Sequence, residues 1–236
     1  MPNHIHTIPV LDALREPGHC AFCAMFKKLE QDAVLFIMGP AYMEDDVRME
    51  TNRVGFCQHH MKLMYENQNR LGLALMLHTY VQQLNKDMNK IIKGRAPAPL
   101  FGKDSNSVVT KLKNHLEKTH STCYVCSKIE STFERYIDTF FHIWGKGGED
   151  SKLISAQKGY CLPHFIQILS AAERLGRGKR EKFLDDIVPA WQNLMTELEE
   201  DLDWFVQKFD FRNADAPWKN SKEALTRAMA LIGGLT

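Results

Sequence analysis

Net charge is nearly absent from this sequence: 30 lysines and arginines stand against 29 aspartates and glutamates. Nothing global therefore favours nucleic acid or an anionic membrane as a partner, although a local basic patch stays open. No basic stretch followed by an apolar run opens the chain. Met-Pro-Asn-His-Ile-His-Thr-Ile-Pro-Val predicts no signal peptide. Long hydrophobic runs are missing too. The longest, around residues 71–77, is too short to span a bilayer and reads as a buried helix. These absences predict a cytoplasmic protein without a membrane segment. Period-two alternation is almost nowhere to be found, so strands are not expected. There is no Gly-rich phosphate loop, no G-x-S-x-G and no H-E-x-x-H. No Cys-x-x-Cys is followed by His, which excludes covalent haem attachment by that motif.

What is present begins with size. With 236 residues, 44% of them hydrophobic, the chain can bury a substantial core, as one large domain or two packed halves. Its six cysteines all fall into one repeated pattern. Cys20-Ala-Phe-Cys23 is followed by Gly55-Phe-Cys57-Gln-His-His60. Cys123-Tyr-Val-Cys126 is followed by Gly159-Tyr-Cys161-Leu-Pro-His164. The match continues past each histidine, with Arg70-Leu71-Gly72 aligned on Arg174-Leu175-Gly176. This spacing predicts an internal duplication of one helical unit. The first repeat occupies residues 1–96. Residues 97–236 hold a joining helix, the second repeat and a C-terminal strap.

Both repeats read as helical. From Cys23 to Met38, Phe26, Leu29, Ala33, Phe36 and Ile37 share one helical face. From Cys126 to Trp144, Ile129, Phe133, Tyr136, Ile137 and Phe140 do the same. A helix is expected to start at each Cys-x-x-His, where Pro163 suits a first turn. Long helices should follow over residues 73–92 and 179–209. Residues 93–100 (Lys-Gly-Arg-Ala-Pro-Ala-Pro-Leu) break helix and read as a linker. Residues 105–120 suit a joining helix. A final helix should begin near Asn220 and Ser221, both good N-caps, and end at Gly233-Gly234. The fold class expected is all-α, in two pseudo-symmetric halves.

Two cysteines three apart at a helix start place both sulfurs within reach of one ion. A distant Cys-x-x-His completes a tetrahedral Cys₃His set of the kind that holds structural Zn²⁺. The glycine before each third cysteine fits a backbone that turns toward sulfur. Buried thiols and thioredoxin-like redox pairs explain the doubled spacing less well, the latter because strands are missing. The expected metal ligands are Cys20, Cys23, Cys57, His60, Cys123, Cys126, Cys161 and His164. Their expected cofactors are two Zn²⁺ ions, with a 4Fe-4S cluster as the alternative at the same ligands. His59 stands beside His60 as a substitute, but its counterpart is Pro163. Similar spacing in both repeats argues that each closes its own site. Exchange, with Cys20 and Cys23 meeting Cys161 and His164, is the other possibility.

Two segments break the repeat. The first surrounds Asp45, Asp46 and Arg48, which are candidate catalytic residues if they converge on a pocket. The plainer reading is a solvated helix start whose acids suit its dipole. The second runs over residues 203–218 and mixes aromatics with Lys208, Arg212 and Asn213, which are candidate cofactor-binding residues. The plainer reading there is a strap packed over a core. His78, on an otherwise apolar helix, reads as a satisfied core histidine.

Five blocks carry a family resemblance: Cys20–Cys23, Tyr-Met-Glu-Asp-Asp-Val-Arg at residues 42–48, Gly-Phe-Cys-x-x-His at 55–60, Arg-Leu-Gly-Leu-Ala-Leu-Met-Leu-His at 70–78, and Trp-Phe-x-Gln-Lys-Phe-Asp-Phe-Arg-Asn at 204–213. The chain resembles a bacterial family found in anaerobic Firmicutes and classed as a domain of unknown function. The resemblance spans nearly the whole chain. It implies a stand-alone bacterial cytoplasmic protein, and the anaerobic setting raises the weight of the iron–sulfur alternative. It implies no activity. The expected function is a metal-binding helical scaffold or binding module, with a protein or small-molecule partner. An iron–sulfur redox protein or enzyme is the alternative.

Overall fold

The computed structural model describes residues 4–94 and 107–234. Every regular element among them is helical: α1 (His4–Arg15), α2 (Ala21–Met38), α3 (Asp45–Val54), α4 (Gln58–Glu66), α5 (Arg70–Lys93), α6 (Val108–His120), α7 (Tyr124–Lys146), α8 (Glu149–Ser155), α9 (Leu162–Ala172), α10 (Arg177–Gln207) and α11 (Ala224–Gly233). Short 3₁₀ turns precede α3 and α11. The all-α expectation holds, and no helix among the described residues is long and apolar enough to cross a membrane. The linker expected at 93–100 falls mostly outside the described residues. Its neighbour α6 starts three residues later than the sequence suggests, at Val108, where the Ser107 hydroxyl caps the Thr110 amide.

The chain folds into two compact units that interleave along the sequence. One comprises Met1–Lys28 with Thr132–Thr236; the other is Leu29–Ser131. The division falls within α2 and within α7. These units do not follow the division at residue 96 expected from the spacing of the cysteines.

In the unit of residues 29–131, α3 lies along α5. Arg48 fastens the pair: its guanidinium donates to the carbonyls of Tyr42 and Leu75 and to Thr79 Oγ1, the last at 2.7 Å. Thr79 in turn donates to Asn52 Oδ1. Val47, Thr51, Val54, Met64, Leu73 and Met76 are buried in this unit. Asn69 caps α5, accepting from the Gly72 amide while donating to the Met38 carbonyl.

The other unit is built on aromatic rings. Phe22 is fully buried and meets Phe133, Phe140 and Tyr160 edge-on, with centroids 5.1–5.9 Å apart. Phe165 stacks flat on Trp191, whose indole N–H donates to the Tyr160 carbonyl. Ala228 and Leu231 of α11 pack on Leu198 of α10. All five residues expected on the inner face of α7 are buried. The reading of α2 needs one correction. Ile37 is buried, but Phe36 is 54% exposed, because the buried stripe runs through Met25, Val34 and Met38 instead. His78 also differs from expectation: it lies on the exposed side of α5, while Leu73 and Met76 face inward.

Candidate metal centres

Each unit brings four sulfur and nitrogen donors together. Cys20, Cys23, Cys161 and His164 form one group; Cys57, His60, Cys123 and Cys126 form the other. Within each group all four donor atoms lie within 4.8 Å of one another. Local closure is thus overturned: Cys20 and Cys23 meet Cys161 and His164, and Cys123 and Cys126 meet Cys57 and His60. All six cysteines are free thiols.

Local geometry explains how the donors converge. Cys57 and Cys161 are the N-cap residues of α4 and α9. Each histidine follows three positions later, inside the first turn, so it returns to the same side as its cysteine. The sulfur-to-Nδ1 distance is 3.2 Å in Cys57–His60 and 3.0 Å in Cys161–His164. Each cysteine is delivered by a glycine two residues earlier. Gly55 has φ 65° and Gly159 has φ 152°, both positive. A Cβ at Gly55 would lie 2.8 Å from the Tyr80 ring, and one at Gly159 2.6 Å from Leu194. Each Cys-x-x-Cys lies at the start of a long helix, α2 or α7. In one unit the Tyr124 amide donates to the Gly55 carbonyl, so the two knuckles are directly bonded there. In the other, Gly234 after α11 reaches Cys161: a Cβ there would stand 3.5 Å from its sulfur.

In the group of Cys20, the Cys23 sulfur lies 3.5 Å from that of Cys161 and 3.4 Å from His164 Nδ1, and Cys20 lies 3.6 Å from the same nitrogen. Hydrogen bonds from Cys161 and Cys23 hold the Cys20 thiol far below the usual thiol range. Cys23 is driven far above it by its contacts with Cys161 and Cys20. Burial alone would lower the pKa of His164, but its contacts with Cys161 and Cys20 outweigh burial and carry it up to about 9. Coordination of a metal here would displace the protons that the cluster otherwise shares between sulfur and imidazole. Around His164 the surroundings are apolar, with the rings of Phe22, Phe26 and Phe133 against the imidazole.

In the group of Cys57, that sulfur lies 3.9 Å from Cys126, and both Cys123 and Cys126 lie 3.4 Å from His60 Nδ1. Burial raises the Cys126 thiol and lowers the pKa of His60. Here the outer nitrogen of the histidine faces a carboxylate. Glu30 Oε1 stands 3.3 Å from His60 Nε2, an ion-pair distance without hydrogen-bond alignment, and takes a 2.8 Å hydrogen bond from His59 Nε2. His59 is therefore an outer neighbour in this arrangement, joined to the ligand set through Glu30. Glu30 is buried, and sequence reasoning missed it. The signal was available: residue 30 lies seven positions, about two turns, after Cys23, on a face otherwise occupied by apolar side chains.

The remaining candidates have other partners. Asp45 and Asp46 are exposed in the first turn of α3. The hydrogen bonds of Arg48 go to α5 and Tyr42, and none among the described residues joins it to either aspartate. Lys208 is buried, and its ammonium donates to the carbonyls of Asn213, Ala214 and Ala216 at 2.6–2.7 Å. Arg212 pairs with Asp210, which its guanidinium keeps below the usual carboxylate range. Asn213 donates to the Gln207 carbonyl.

The fold and these two donor groups define an all-helical protein with paired Cys₃His ligand sets. Over residues 1–236 the chain matches the family described as a family of unknown function (DUF6062), and it belongs to that family. No curated protein and no solved structure matches it.

Proposed function

We propose that each ligand set holds one Zn²⁺ and that the protein is a zinc-stapled helical scaffold presenting a binding surface. The observation carrying this reading is the spacing of the donors. A tetrahedral Zn²⁺, with bonds of about 2.3 Å to sulfur and about 2.1 Å to nitrogen, sets sulfurs about 3.8 Å apart and sulfur about 3.6 Å from nitrogen. One sulfur pair in each set stands at 3.5 or 3.9 Å, the remaining pairs lie within 4.8 Å, and the six sulfur–nitrogen pairs stand at 3.0–3.6 Å. An iron–sulfur cluster distributes its terminal ligands over several metal atoms. Donors gathered within 4.8 Å of one another suit it less well.

The two halves are read as diverged repeats. The helix order α2, α3, α4, α5 is matched by α7, α8, α9, α10. Thiolate ligands require a reducing compartment, which supports a cytoplasmic location. The binding role is assigned to the segments where the halves diverge, around residues 44–48 or 208–213. Asp45 and Asp46 are exposed in the first; in the second Phe209 and Phe211 are 76% and 86% exposed, and either surface suits a protein or small-molecule partner.

Elemental analysis of anaerobically prepared protein tests the metal. The expected outcome is colourless protein with about two zinc ions per chain, one for each ligand set. Brown protein containing iron and acid-labile sulfide overturns the zinc assignment in favour of a cluster.

A further inference from the structure

The unit of residues 29–131 has a cleft of about 420 Å³ between α3, α5 and α6. That volume suits a small metabolite. Its polar lining is uneven. The Lys118 ammonium forms no hydrogen bond or ion pair among the described residues, and the Arg53 guanidinium is held on the same lining by two hydrogen bonds to Glu50. Asp87 faces the cleft with Oδ1 taken by Gln83 and Oδ2 3.9 Å from His115 Nε2. That nitrogen is buried and has no hydrogen-bond partner among the described residues. A gap of 3.9 Å is too long for a bond between the two side chains. His115 thus lines the cleft with a ring nitrogen that no described protein group satisfies, and Asp87 beside it keeps Oδ2 without a hydrogen bond among the described residues.

We infer that this cleft binds a small molecule with an oxyanion at one end and a hydrogen-bond donor at the other. The oxyanion goes to Lys118 and Arg53. Asp87 repels an anion from its own wall and accepts a hydroxyl or N–H instead, beside His115. The inference does not depend on which ion the sulfur sites hold. The cleft is nevertheless joined to the ligand set of Cys57. Thr122, which lines it, donates to the Val54 carbonyl at 2.8 Å and immediately precedes Cys123.

Inorganic phosphate is the simplest probe, because at neutral pH it carries both charge and P–OH groups. Sulfate has the charge and geometry without the donor. The ring resonances of His115 in the metal-loaded full chain are followed by NMR during titration with phosphate, sulfate, and sodium chloride at matched ionic strength. Phosphate is expected to shift them saturably, and sulfate more weakly. Lys118→Gln should weaken phosphate binding by about tenfold, the loss of one charge-assisted contact. Asp87→Asn should remove the preference for phosphate over sulfate. Lys118 is on the surface, so its variant tests the site without disturbing the core. Equal shifts from all three salts, or a Lys118→Gln variant that binds phosphate like the wild type, overturn the inference.

Discussion

Glu30 gives the ligand set of Cys57 a carboxylate flank that no described residue gives to His164 in the set of Cys20. A carboxylate behind the outer nitrogen of a ligating histidine fixes the ring and makes it a better donor. Glu30→Ala is therefore expected to lower metal affinity in the unit of residues 29–131 by roughly 10–100-fold, leaving the other ion unchanged. Competition with a chromophoric chelator should show one weakened and one unaltered equivalent. Acid acts on both sites. Six thiolates and two neutral imidazoles must be available for coordination, so falling pH returns protons to the ligands and releases metal. Zinc release followed by a dye between neutral and mildly acidic pH should rise as pH falls. At this scale the eight donors were fully legible in the sequence, because few residue types bind a soft metal and their spacing is doubled. Glu30 was passed over although its place on an apolar helix face was readable, because a single acid on a helix looks like a solvated position until its neighbours are known.

Among the elements, the turns before α4 and α9 are the most constrained. Gly55→Ala would require an L-residue at φ 65° and a Cβ 2.8 Å from the Tyr80 ring. The expected loss is roughly 1–3 kcal/mol of stability, with the midpoint of chemical denaturation of metal-loaded protein as the readout. An unchanged midpoint would mean that the turn relaxes freely. The positions of α2, α4, α5, α7, α9 and α10 followed from the 3.6-residue period and from the Cys-x-x-His starts, whereas α1 and α8 were not expected. Phe36 and His78 did not follow, because periodicity identifies an apolar stripe without saying which part of it a neighbouring helix covers. Arg48 and Lys208 show the same limit. Both were legible as cations in unusual company, yet all partners of Lys208 and two of the three of Arg48 are main-chain carbonyls, which leave no trace in a sequence. Lys208 is the clamp of the strap, and its replacement by Met should loosen residues 209–218 in hydrogen exchange while leaving metal content at its wild-type value.

For the molecule as a whole, spacing alone did not reveal the pairing of the donors. A Cys-x-x-Cys and a Cys-x-x-His of equal separation in both halves satisfy local and exchanged closure equally well, and only the path of the chain decides. Exchange makes both ligand sets joint products of residues before and after the 95–106 segment. A protease cut within that segment should therefore leave two fragments that migrate together in native gel filtration. A thiol-compatible chelator should then separate them or unfold both. Fragments that part company while both ions remain bound would contradict the pairing. The same pairing places one closed loop inside another. Cys57 and Cys126 are 69 positions apart, and Cys23 and Cys161, which enclose them, are 138 apart. Once the inner ion is in place, the chain still free between the outer ligands is about half as long. Each halving of a flexible loop lowers its closure entropy by about 0.6 kcal/mol. Loading is thus biased in order, from the inside outward: the first metal ion to arrive shortens the search that the second set of ligands must complete.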